Sequence, residues 1–81
     1  MNIFVANLDY QVKTEKLKEL FEAYGEVASA KIITDFGTGK SKGFGFVEMP
    51  DDVEARSAIN SLNEHEINGR AIVVKEAKPR S

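Results

Sequence analysis

Lys42-Gly43-Phe44-Gly45-Phe46-Val47-Glu48-Met49 decides how this chain is read. Along a strand, successive side chains point to opposite faces. One face therefore carries Lys42, Phe44, Phe46 and Glu48, and the other carries Gly43, Gly45, Val47 and Met49. A half-buried strand ordinarily hides its aromatic residues and shows its polar ones, and neither face allows that here. Burying the phenylalanine face takes Lys42 and Glu48 in with it, as unpaired charges that cost several kcal/mol. Burying the other face leaves two phenylalanine rings in water but gives Val47 and Met49 to the core. The second choice is cheaper, and the two glycines then let a helix pack close on the strand. Two exposed rings beside a lysine suit a flat platform on which unpaired bases stack, with a cation nearby for phosphate.

The opening stretch repeats the anomaly. In Asn2-Ile3-Phe4-Val5-Ala6-Asn7-Leu8, Ile3 and Val5 share one face, while Phe4 stands with Asn2 and Ala6 on the more polar one. Between these stretches, Thr14 is an expected helix N-cap. Leu17, Leu20, Phe21 and Tyr24 follow at the spacing of a single apolar stripe, and Gly25 fits the left-handed C′ position that ends a helix. Phe21 and Tyr24 at that spacing read as core. In the loop before the helix, Tyr10 suits either the core edge or a ligand, and packing is the favoured reading. A second strand is expected over Val27–Thr34, with Ser29, Lys31 and Ile33 on one face. Asp35-Phe36-Gly37-Thr38-Gly39-Lys40-Ser41 has turn chemistry throughout and reads as a hairpin loop; Phe36 is unexplained by such a loop and could fold back on the sheet edge.

Pro50 ends the organising strand. Asp51 caps a second helix, with Glu54 completing a capping-box pattern. Asp51 and Asp52 together are better read as favourable charge at a helix N-terminus than as a catalytic pair. Ala55, Ala58, Ile59 and Leu62 form its apolar stripe, with the alanines packing over Gly45, and Asn63 is a plausible stop. Glu64–Gly69 is a turn-rich connector with a short extended piece near Ile67. Arg70–Glu76 reads as the last strand, with Ile72 and Val74 inward and Ala71, Val73 and Lys75 outward. The order strand, helix, strand, strand, helix, strand suits an α+β, ferredoxin-like βαββαβ sandwich: four antiparallel strands with two helices on one face.

The two phenylalanine-bearing stretches also resemble the RNA-recognition motif family. Lys42 to Met49 fit its basic-Gly-aromatic-Gly/Ala-Phe-Val-x-aromatic pattern at every position but the last. By parity Met49 faces the core, so the departure changes packing and not the outer surface. Ile3 to Leu8 fit the family's second motif, aliphatic-aromatic-aliphatic-x-Asn-Leu. The resemblance covers residues 2–77 and is closest to small single-domain RNA-binding proteins, since Met1 abuts the first strand. It implies that the first and third strands are central and adjacent, with Phe4, Phe44 and Phe46 side by side as base-stacking residues. It also implies a polar or basic contact at Lys31. Lys42 and Lys75 are expected to touch phosphate or base edges, and Lys40 to follow a phosphate backbone. Asn7 and Lys75, with main chain near Glu76 to Lys78, are expected to help in reading base edges. A domain over residues 1–77 is followed by a basic tail, 78–81, whose Lys78 and Arg80 could strap bound nucleic acid.

Composition bounds the alternatives. With 81 residues the chain is one small domain; 42% hydrophobic and 30% charged is an ordinary globular balance. There is no cysteine, hence neither a disulfide framework nor a thiolate metal site. No apolar run reaches a membrane span and no leader pattern is visible, so a cytoplasmic protein is expected. The formal net charge of −2 runs against the basic balance usual for nucleic-acid binding. Placement offsets this: most acids lie in or beside the helices, while Lys40, Lys42, Arg70, Lys75, Lys78 and Arg80 lie in or beside the third and last strands, interrupted only by Glu48 and Glu76.

Gly37 to Ser41 resembles the end of a phosphate-binding P-loop, but Thr34 replaces the required first glycine and a strand follows where a helix is needed. Gly43-x-Gly45 lacks the third glycine of a dinucleotide fingerprint. His65 is the sole histidine, expected in a solvated loop, so no metal cluster or catalytic triad is expected. No enzyme activity and no cofactor are therefore expected. The partner expected is single-stranded RNA, bound by a monomer, with post-transcriptional regulation or RNA chaperoning as the task. Two alternatives stand beside it. One is single-stranded DNA binding. The other is a protein-interaction domain of the same fold, using Glu48 or the acidic helix face.

Overall fold

A computed structural model describes residues 1–34, 37 and 41–77, without the side chains of 34, 41 and 42. The elements are β1 (Asn2–Ala6), α1 (Thr14–Glu22), β2 (Ser29–Thr34), β3 (Ser41–Glu48), α2 (Asp52–Leu62), β4 (Glu66–Ile67), β5 (Arg70–Ala71) and β6 (Val73–Ala77). The main sheet has the order β2-β3-β1-β6, every neighbour antiparallel, so β1 and β3 are central. This is the ferredoxin-like α+β plan expected above.

The core takes the cheaper face of β3. Val47 and Met49 are buried, together with Ile3 and Val5 of β1 and Ile72 and Val74. Leu17 and Phe21 of α1 and Ala55, Ala58 and Leu62 of α2 complete the same cluster, so both helices cover one side of the sheet. Tyr24 is half-buried against it. The core holds no buried polar or charged side chain among the described residues.

Several local details differ from the sequence reading. Lys13, not Thr14, occupies the N-cap of α1, with no side-chain capping bond. The helix is held by burial of Leu17 and Phe21 instead of a cap, as tertiary packing generally holds helices this short. Its C-cap is Ala23, which puts Gly25 two residues further on, under the Glu54 side chain. At α2, Asp51 does cap, its carboxylate accepting from the Glu54 N–H at 3.0 Å. The Glu54 carboxylate turns to the Glu26 N–H (3.4 Å). Asn63 does end α2, and its Oδ1 also accepts from the Val74 N–H (2.9 Å), tying the helix end to β6.

The glycines of β3 do not make room for a helix. A Cβ on Gly45 would overlap the Lys31 carbonyl oxygen of β2, so Gly45 lets two strands approach. Gly43 has φ +83°, a conformation open mainly to glycine. The second strand begins at Ser29, although the Ala28 N–H still donates to the Glu48 carbonyl (2.8 Å). The expected last strand is divided at Ile72. Its first part, β5, pairs with β4 across Asn68-Gly69, both at positive φ (51° and 82°), the geometry of a two-residue hairpin turn. His65 is exposed, as expected.

Candidate nucleic-acid interface

The antiparallel register of β1 and β3 brings the outward rings together. Phe4 lies opposite Phe46, and Ala6 lies opposite Phe44. The Phe4 ring centroid is 5.5 Å from that of Phe46 and 5.9 Å from that of Phe44. Phe46 is 41% exposed; Phe4 and Phe44 are half-buried. The surface is not a flat platform. The rings are inclined to each other by 54° and 41°, the tilted contact that aromatic quadrupoles favour. Each ring thus offers its own face.

The flanking strands place a cation on each side of the rings. Lys31 of β2 pairs with Phe46, and Lys75 of β6 pairs with Phe4. Lys31, Phe46, Phe4 and Lys75 therefore form one row across all four strands, and both lysines are exposed. The next row, toward the end of β3, is Ser29, Glu48, Asn2 and Ala77. The open face thus alternates in character from row to row. Glu76 lies across from Ile3 and so belongs to the helix side, not to this face.

Asn7 behaves as a strut. It sits at φ +59° just after β1, its Nδ2 donates to the Ala71 carbonyl (2.8 Å), and its Oδ1 accepts from Arg70 Nη1 (3.2 Å). Its amide is engaged with β5, and the guanidinium it holds was not singled out from sequence. Tyr10 is 70% exposed, which overturns the packing reading. An Asx turn, with Asp9 Oδ1 accepting from the Gln11 N–H (2.8 Å), carries it on the surface. Phe36, Lys40, Lys78 and Arg80 lie outside the described residues, as does the Lys42 side chain.

Among the described residues no three His, Cys, Asp or Glu side chains are grouped to hold a metal ion. No helix there is long and apolar enough to cross a membrane.

The profile of the family described as RNA recognition motif matches residues 3–73. The chain belongs to the RNA recognition motif family. This domain is 45% identical over 80 residues to the putative RNA-binding protein RbpB of Nostoc sp. strain PCC 7120, covering 99% of this chain and 78% of that one. A crystal structure of RNA binding protein PG1 superposes with a TM-score of 0.95 at 53% identity, covering 100% of this chain and 98% of the other. The Sxl-lethal protein/RNA complex superposes at 0.92 with 29% identity, over 99% of this chain and 48% of that one. Relatives differ in length: the RNA recognition motif seen here spans 34% of the chloroplastic 28 kDa ribonucleoprotein of Spinacia oleracea, with which it shares 41% identity over 96% of this chain.

Proposed function

We propose that this RNA recognition motif binds single-stranded RNA on its open sheet face. The observation that carries the reading is the row Lys31, Phe46, Phe4 and Lys75, in which two facing rings are bracketed by cations on a surface no other part of the described chain covers. A base stacked on an aromatic ring is worth roughly 1–3 kcal/mol. Phe4, Phe44 and Phe46 supply that stacking, and the tilt between them favours bases splayed onto separate rings over one continuous stack. Lys31 and Lys75 add a salt-dependent phosphate contribution. Lys40, Lys42, Lys78 and Arg80 extend it on sequence grounds. Asn7 acts by positioning Arg70 at the end of β1. The similarity to a protein solved with RNA supports the same partner. A monomer is the expected form. A cytoplasmic setting and a task in post-transcriptional regulation or RNA chaperoning complete the proposal.

The test is fluorescence anisotropy with matched single-stranded RNA and DNA oligomers, on the wild type and a Phe44→Ala/Phe46→Ala variant checked for folding by circular dichroism. RNA binding that is lost in the folded variant is the expected result. Binding that ignores the two substitutions would remove the open face as the site. Equal affinity for RNA and DNA would make the ligand single-stranded nucleic acid in general.

A further inference from the structure

The row beside the rings has chemistry that a backbone-binding surface does not need. Glu48 is exposed on the same face as Phe44 and Phe46, one row beyond the Phe46–Phe4 pair. Its carboxylate is an anion, so it repels the phosphates that Lys31 and Lys75 attract. It is also oriented: Ser29, its partner across β2, donates its hydroxyl to Glu48 Oε2 at 3.4 Å. Asn2, its partner across β1, is exposed beside it. A hollow of about 330 Å³ at this end of the sheet also touches Glu48, but Met1, Asp52, Arg56 and Glu76 in its wall set it against α2, so the access of the carboxylate to a base on the ring face rests on its own exposure.

A carboxylate is an acceptor only, with two oxygens side by side. Guanine alone among the four bases offers it two adjacent donors on one edge, N1–H and N2–H. Adenine and cytosine place their amino group beside an acceptor nitrogen, which a carboxylate repels. Uracil places its one N–H between two carbonyls. Guanine's remaining edge atom, O6, needs a donor, and the Asn2 amide supplies one.

We propose that Glu48, oriented by Ser29 and seconded by Asn2, selects a guanine next to the base stacked on Phe46. This rests on the RNA-binding reading and adds a base preference to it. The test uses a short oligouridylate and the same oligomer carrying one guanosine, inosine or adenosine at each position in turn, titrated into the wild type, Glu48→Gln and Lys31→Ala.

In the wild type, guanosine at one position strengthens binding about tenfold over uridine, the scale of one bidentate base contact. Inosine, which lacks the N2 amino group, recovers only part of that gain, and adenosine none. In Glu48→Gln the guanosine-to-uridine ratio falls to near unity, because the glutamine amide places a donor against one of guanine's donors. In Lys31→Ala both affinities fall and the ratio persists. A wild type without guanosine preference, or a Glu48→Gln variant that keeps it, overturns the inference while leaving RNA binding in place. Failure to bind any of the oligomers overturns the RNA-binding reading itself.

Discussion

Phe46 and Val47 are neighbours in the chain and opposites in the fold. Val47 is buried under the helices, whereas Phe46, the larger apolar side chain, is 41% exposed. The same inversion holds on β1, where Val5 is buried and Phe4 is only half-buried. Size and hydropathy do not sort these residues; the company they keep does. Phe46 shares its face with Glu48, and Phe4 shares its face with Asn2, so burying the rings would bury polar groups without partners. Leaving an aromatic side chain exposed forgoes roughly 1.5–3 kcal/mol of burial. A sheet that forgoes part of this on adjacent central strands has one face serving stability and the other free for the proposed ligand.

The division of labour between the two faces can be attacked from either side. Phe21→Ala removes the largest fully buried side chain of the helix-covered face and is expected to cost about 3–5 kcal/mol of stability. Urea titration reads that loss, and the fraction still folded should keep its RNA affinity.

Gly45→Ala strikes the seam between β2 and β3, since the added methyl overlaps the Lys31 carbonyl. A destabilisation of about 1–3 kcal/mol is expected from the forced backbone shift. Thermal melts measure it, and amide exchange should locate it at β2.

Phe46→Ala attacks the other face. It should cost roughly 1–3 kcal/mol of binding. Its stability should fall by about 1.5 kcal/mol or less, the worth of its ring contact with Phe4. Anisotropy and urea titration on the same sample separate the two effects.

The smallest expected effect is that of Lys31→Ala. Affinity should weaken with no marked dependence on base sequence, and the slope of log affinity against log salt should become shallower by about one.

How much of this was legible in the sequence differs by residue. Alternation in β1 and β3 exposed the conflict between ring and charge, and the conflict pointed to the proposed site. The helix stripes likewise placed Leu17, Phe21, Ala55, Ala58 and Leu62 in the core. What escaped involved contacts between distant segments. The reason for Gly45 lies in the backbone of β2, which no local pattern reveals. The contacts of Asn7 were not legible because its partners, Ala71 and Arg70, are remote in sequence. Tyr10 sits in a loop without periodicity, so nothing in its neighbours decided its exposure. The Asn68-Gly69 hairpin was read only as part of a turn-rich connector, because its strands are two residues each and carry no alternation. Ring tilt depends on side-chain torsions and has no trace in residue identity.

The most direct measurement of the central claim is an amide chemical-shift titration of the labelled protein with a short single-stranded RNA. Two-face division predicts large shifts at Phe4, Phe44 and Phe46 and at their row partners Lys31 and Lys75, with α1 and α2 nearly silent. Shifts concentrated on α1 and α2, with β1 and β3 unmoved, would contradict binding on the open face.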